Sequence, residues 1–473
     1  MNRISRYLTI TFWLCAAGLA IAQESVLYTR GSQKITINKG GVSSFNVEVR
    51  GKLELTDDDK DIKSMSPDGY LEITKTVFGN RRSLVISSGN NGLKREYYEG
   101  RTLVEFEPAG RKWMSEILPE LVRSTTIGGE SRVNRFYQKG GTRAVLNEIK
   151  SLESDYVKVF YGNALMSLSI PDKDYAVAIS EITSGMESDH YRSEFLRKGM
   201  DKFLKNKDAT QAVFAATQNF ESDHYRTEVI KEALSAGPAT LENVKVILQA
   251  TSKMESDHYK TEVLSALLRQ NNLTDAMVAE MINATLTMES DHYRSVILSK
   301  ALDKPGLSAA SYKKVVESVR GLDSDHYKTQ VLTELLQNNL PHDEQMSLID
   351  LLSAFDSDHY LTQVGIQFLK KQTLDEVAFQ RLLETVAGRD SDFYASSFLQ
   401  AALQRQGLSK QNLMTILQVA GSIESDHYIT EVLVNAAPQV KSQNDAALKD
   451  AYRQAARKIE SDTYYGRALK ALD

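Results

Sequence analysis

From about Val26 to Phe106, apolar and polar residues alternate in short runs, among them Phe45-Asn46-Val47-Glu48-Val49, Tyr70-Leu71-Glu72-Ile73-Thr74 and Ser83-Leu84-Val85-Ile86-Ser87. A period of two belongs to strands with one buried face. Gly40-Gly41, Pro67-Asp68-Gly69, Gly79-Asn80 and Ser88-Gly89-Asn90-Asn91-Gly92 break the runs where the chain must turn. Residues 23–107 therefore predict an antiparallel β domain, a meander or a small sandwich. Asp57-Asp58-Asp59 falls in one connection and reads as a solvated acidic turn, with a cation site as the alternative.

Near Pro108 the period changes. Apolar residues around 111–123 and 130–137 recur at helical spacing, with Gly128-Gly129 and Gly140-Gly141 as breaks. Residues 108–141 read as a helical bridge that covers the first of a series of repeats over 142–473. The triplet acid-Ser-Asp ends at Asp155, Asp189, Asp223, Asp257, Asp291, Asp325, Asp358, Asp392, Asp426 and Asp462, in steps of 34 residues except for 33 into Asp358 and 36 into Asp462. A fixed period of this size marks stacked supersecondary units.

Each unit divides into two helices. In the fourth, Thr240 is placed to cap a helix carrying Leu241, Val244, Ile247, Leu248 and Met254, and a second helix after the triplet carries Tyr259, Val263, Ala266 and Leu267. Gly237-Pro238, Asn271-Asn272 and Pro305-Gly306 punctuate successive units. One such hairpin cannot bury its apolar face, but a stack can. The predicted fold is α+β overall: an N-terminal antiparallel β domain followed by a long αα solenoid of ten repeats. This layout resembles the HEAT and tetratricopeptide class of helical-repeat proteins over residues 142–473. The Trp-Leu-Gly-Tyr pattern of tetratricopeptide first helices is missing, so their peptide groove is not carried over. The whole chain also resembles bacterial exported proteins that join a small β domain to Ser-Asp-(His/Tyr)-Tyr repeats. That likeness implies an extracytoplasmic role and supplies no site residues.

The repeat-defining residues are Asp189-His190-Tyr191, Asp223-His224-Tyr225, Asp257-His258-Tyr259, Asp291-His292-Tyr293, Asp325-His326-Tyr327, Asp358-His359-Tyr360 and Asp426-His427-Tyr428. Ser and Asp at the start of a helix are expected to cap its own amides and to complement its dipole. The row holds seven of the eight His in the chain, and Tyr156, Phe393 and Thr463 stand at the same position in the other copies. Packing between repeats, a divalent-metal row and a pH response are the readings the row admits. The Tyr row reads as a wedge between units, or as a carbohydrate- or peptide-binding surface. After it, Lys158, Arg192, Arg226, Lys260, Arg294 and Lys328 give way to Leu361, Ala395 and Ile429. The basic residues are expected to pair with the triplet acids. The apolar three form the candidate partner surface, since exposed apolar area usually needs covering.

Composition narrows the function. Arg3, Arg6, the apolar run to Ala22 and Ala20-Ile21-Ala22 read as a secretory signal over 1–22, so the mature chain is expected in the periplasm or outside the cell. That leader takes with it Cys15, the only cysteine, which excludes disulfides and thiol chemistry from the mature chain. Residues 23–140 carry 19 basic and 16 acidic groups, whereas 141–473 carry 36 and 46. An acidic repeat region disfavours nucleic acid and suits a basic protein segment. Catalytic motifs, phosphate loops and metal-ligand pairs are missing, so neither an enzyme nor a cofactor is expected. The function expected is an exported, non-enzymatic protein-interaction scaffold with no stable membrane insertion. A metal- or pH-responsive envelope sensor using the Asp-His row is the alternative.

Overall fold

The computed structural model describes residues 22–29, 32–39, 43–90 and 92–473. The expected leader and Cys15 lie outside the described residues, apart from Ala22, as do Gly40, Gly41 and Asn91 of the expected turns. The chain forms two compact units, residues 1–225 and 226–473.

The first unit opens with nine strands: β1 (Ala22–Thr29), β2 (Ser32–Lys39), β3 (Ser43–Arg50), β4 (Leu53–Leu55), β5 (Ile62–Met65), β6 (Tyr70–Val77), β7 (Asn80–Gly89), β8 (Gly92–Glu99) and β9 (Thr102–Val104). Seven make an antiparallel sheet in the order β1-β2-β3-β6-β7-β8-β9, and β4 pairs with β5 in a separate ribbon. This is a meander with one excursion. The three alternating runs of the sequence fall in β3, β6 and β7. Their register aligns Val47, Ile73, Leu84 and Tyr97 across four strands. Against that face packs the helix Arg111–Ser124, through Trp113, Met114, Ile117, Leu118, Leu121 and Val122. Burying one such aliphatic side chain is worth about 1.5–3 kcal/mol, so a single amphipathic helix suffices to close the sheet. The opposite face is polar, with Lys34 paired to Glu48 at 2.9 Å and Thr74 bonded to Ser83 at 2.8 Å.

Asp57 and Asp58, between β4 and β5, are exposed as their composition suggests, but Asp59 is buried. Asp59 sits at φ +57°. Its carboxylate accepts from the Arg132 guanidinium at 2.7 and 3.0 Å and also from Arg135. Lys139 pairs with Asp57 at 2.8 Å. All three cations come from the helix Gly129–Lys150, so the turn is a plug that docks the β domain on the helical region. Arg132 is 1 % exposed and donates as well to Glu148, at 2.8 Å, and to Tyr161. Burial works against its charge, but the bonds it donates to Asp59 and Glu148 outweigh that and keep its pKa raised. Burial also raises the Tyr161 hydroxyl. The two glycine breaks are present: Gly128 precedes the helix at φ +68°, and the helix kinks at Gly140 and Gly141.

The repeats follow. First helices carry side-chain caps: Asn206, Thr240, Thr274, Ser308, Asp375, Ser409 and Asp445 each accept the amide three residues on. Every second helix begins at its triplet Asp, from Asp155–Ser167 to Asp462–Leu472. Within each unit, first helices pack on first helices of the next repeat and second on second, the two-layer arrangement of an αα solenoid. Packing is matched in size between repeats. A side chain at Gly162 would meet Phe195 of the next second helix, and one at Gly365 would meet Phe398 at 2.2 Å. No helix among the described residues is long and apolar enough to cross a membrane.

Removing one partner of a buried ion pair typically costs about 3–5 kcal/mol. Asp59→Asn keeps a residue tolerant of positive φ while deleting the charge that faces Arg132. We expect it to lower stability by about that amount in urea denaturation. A change under about 1 kcal/mol would show that the network does not hold the plug.

Candidate functional site

The site grows from the triplet. Ser takes the extended backbone of an N-cap residue, yet its side chain makes no capping bond at Ser154, Ser188, Ser256, Ser290, Ser324, Ser357, Ser391, Ser425 or Ser461. The Asp reaches forward instead of capping its own helix, which corrects the expectation from composition. In the first unit, Asp155 Oδ2 accepts the amides of Glu187 and Ser188, both at 2.8 Å, and Asp189 Oδ2 accepts those of Glu221 and Ser222 at 2.7 and 2.6 Å. In the second unit, Asp257 holds Glu289 and Ser290, Asp291 holds Asp323 and Ser324, and Asp325 holds Asp356 and Ser357. Asp358 accepts from Ser391, Asp392 from Glu424 and Ser425, and Asp426 from Glu460 and Ser461. Each carboxylate thus fixes the loop that starts the next second helix.

The basic residue three positions on completes the clamp. Lys158, Arg192, Lys260 and Lys328 pair with the Asp of their own helix at 3.0, 2.7, 3.1 and 3.0 Å. Several of these cations also reach the end of the next first helix: Lys158 donates to Gly185 O at 2.7 Å and Lys260 to Thr287 O at 3.0 Å. Arg294 puts both arms there, on Gly321 O at 2.6 Å and Ser318 O at 2.7 Å. A cation at a helix C-terminus and a carboxylate at the loop amides each complement the local dipole.

Leu361, Ala395 and Ile429 occupy the same slot and are 1, 5 and 0 % exposed. They are not a partner surface. The slot faces the next repeat, where the stems of Lys260 and Lys328 are also buried, so an apolar side chain fills it as well. At Leu361 the missing cation is supplied by another residue. Arg389 approaches Asp358 at 3.8 Å and donates to Phe355 O at 2.8 Å and Ser353 O at 3.1 Å.

The His and Tyr rows form the outer edge of this ladder. Each of the seven His, and Phe393, lies 5.0–5.2 Å from the Tyr that follows it. It also meets the Tyr of the next repeat. His190 lies 5.7 Å from Tyr225, and His258 lies 6.1 Å from Tyr293. Further along, His292, His326, His359 and His427 meet Tyr327, Tyr360, Tyr394 and Tyr464 at 5.5–6.0 Å. Phe393 does the same with Tyr428 at 5.9 Å, and Tyr156 with Tyr191 at 6.3 Å. What recurs is an aromatic ring in tilted or edge-on contact, whether imidazole, phenyl or phenol. Packing between repeats is therefore the role the geometry shows for the row. The neighbouring Asp carboxylates are engaged in the clamp, and no three His, Cys, Asp or Glu gather as a metal cluster among the described residues.

The edge remains accessible. His224, His258, His292, His326, His359 and His427 are exposed and His190 is half-buried, while the tyrosines of the row are half-buried. The acids that open the triplets, from Glu153 to Glu460, are exposed throughout. Seven repeats, those of His224, His258, His292, His326, His359, Phe393 and His427, thus offer an acid, an exposed ring and part of a tyrosine in the same order.

The chain is an αα-repeat solenoid carrying an N-terminal antiparallel β domain. No known protein family matches its sequence, and no curated protein does. Solved structures that match it include a protein from the computational design of self-assembling cyclic homo-oligomers, at 10% identity, covering 67% of this chain and 97% of that one, with a TM-score of 0.12. Another is a circular tandem repeat protein with novel repeat topology and enhanced subunit contact surfaces, at 10% identity, covering 77% and 78% of the two chains, with a TM-score of 0.15.

Asp291→Ala leaves the amides of Asp323 and Ser324 without their acceptor, a loss of about 1–3 kcal/mol that differential scanning calorimetry should register. The clamp at Asp257 should also weaken in acid. Burial opposes ionisation of Asp257, but the Ser290 amide and Lys260 outweigh it and hold its carboxyl below the usual range. Stability from such a group is present above the ordinary carboxylate pKa and is lost as pH falls through the lowered value. Melting temperature should therefore drop steeply below about pH 4, and less steeply in the Asp257→Asn variant.

Proposed function

We propose that this chain is an exported, non-enzymatic protein-interaction scaffold whose contact surface is the acid–His–Tyr edge of the repeats, and that it takes a basic, extended protein segment. The observation that carries this reading is the exposure of one acid and one ring beside a half-buried tyrosine in seven of the ten repeats. Lys and Arg side chains stack on aromatic faces and pair with carboxylates, so both features recognise the same partner chemistry. The excess of 46 acidic over 36 basic residues in 141–473 adds long-range attraction of the same sign. Equivalence of the repeats favours a repeated contact surface over one reaction centre. The basic, apolar start of the chain with its small-residue end supports export.

A Lys/Arg-rich extended peptide should bind the full chain in fluorescence anisotropy, and an Asp/Glu-rich peptide of equal length should not. Combined Glu289→Lys, Asp356→Lys and Glu424→Lys substitution, all at exposed positions, should weaken that binding at least about tenfold with an unchanged circular dichroism spectrum. Equal binding of both peptides, or full binding by the triple variant, would contradict the proposal.

A further inference from the structure

The turn between β6 and β7 is built against its own sequence. Val77 pairs with Asn80, leaving a two-residue turn of Phe78 and Gly79, at φ +48° and +81°. Such turns are normally filled by Asn-Gly or Gly-Gly, because a bulky residue is strained at positive φ. Phe78 bears that strain and is 80 % exposed, so it adds nothing to the core. Strain kept at an exposed aromatic points to a use for the ring.

Its surroundings say what the ring would meet. Arg81 and Arg82 follow on β7, and the neighbouring β8–β9 turn brings Arg101 alongside through the Gly100 amide, bonded to Arg81 O at 2.8 Å. All three arginines are exposed, and none has an ion-pair partner within 4.0 Å among the described residues. Leu103, just beyond that turn, is 58 % exposed. At the same end, Glu99 stands opposite Arg82 in the register and accepts the Tyr97 hydroxyl, while Lys75 is paired with Glu120.

We propose that this hairpin end is a membrane-interface anchor, with the Phe78 ring entering the headgroup–acyl boundary of an anionic bilayer and the arginines pairing with lipid phosphates. A convex tip with one aromatic wedge has no walls to enclose a small ligand. An apolar tip ringed by guanidinium groups has the composition of a surface that lies on lipid. Net charge does not oppose this: residues 23–107 hold 13 basic and 13 acidic groups, against 36 and 46 in the repeats, so an anionic surface repels the repeats and not the β domain. The inference does not depend on what the repeats bind.

The test uses the full chain and sucrose-loaded vesicles of phosphatidylglycerol and phosphatidylcholine, with pure phosphatidylcholine for comparison. Parent and variants share one N-terminus, so any lipid affinity of the leader cancels. Phe78→Asn should lower partitioning onto the anionic vesicles about tenfold or more, while raising the melting temperature because Asn suits the turn. Arg81→Gln with Arg101→Gln should cut it several-fold and flatten its salt dependence. With Phe78→Trp, the introduced indole should shift to the blue and be quenched by brominated acyl chains in anionic vesicles only. Unchanged partitioning of Phe78→Asn, or an indole that neither shifts nor is quenched, would overturn the proposal and leave a protein partner as the occupant of the tip.

Discussion

One carboxylate with two obligations organises the repeats. The triplet Asp opens its own helix and at the same time accepts the amides that open the equivalent helix one repeat on. Two short charge-assisted bonds to consecutive N–H groups fix both distance and direction. The loop between first and second helix cannot shift without losing them, and each second helix therefore starts in register with the last. The buried Lys or Arg restores charge balance around the Asp and ties off the C-terminus of the next repeat's first helix. Hydrophobic contact supplies most of the stacking energy, but it is not directional. The clamp supplies the direction.

The aromatic edge follows from that register. Because successive helices start at equivalent points, the ring after each Asp falls beside the Tyr of the next unit, and the same contact recurs whether the ring belongs to His, Phe or Tyr. Exposure of those rings is a by-product of where the clamp sits, at the rim between the two helix layers. A surface of this kind comes already ordered before any contact is made.

Much of this was legible in the chain itself. The spacing of the ten triplets, the alternation in β3, β6 and β7, and caps such as Thr240 led directly to the architecture. Direction was not legible. Nothing in Glu-Ser-Asp distinguishes a carboxylate that caps its own helix from one that reaches forward, because both need the same residue at the same place. The change from Lys and Arg to Leu361, Ala395 and Ile429 looked like a change of surface, since hydropathy cannot show that a Lys stem is buried. The burial of Asp59 is not legible for a related reason: its partners Arg132 and Arg135 lie more than seventy residues away. The correction at Arg389, which serves Asp358 in place of a residue at 361, is equally non-local.

The claim that the carboxylate couples one repeat to the next is tested most directly by residue-resolved amide hydrogen exchange on the parent and the Asp291→Ala variant. The account predicts that the Asp323 and Ser324 amides lose protection in the variant, while those of Glu289 and Ser290, held by Asp257, keep theirs. Unchanged protection at Asp323 and Ser324 would show that packing alone sets the register, and would contradict the clamp.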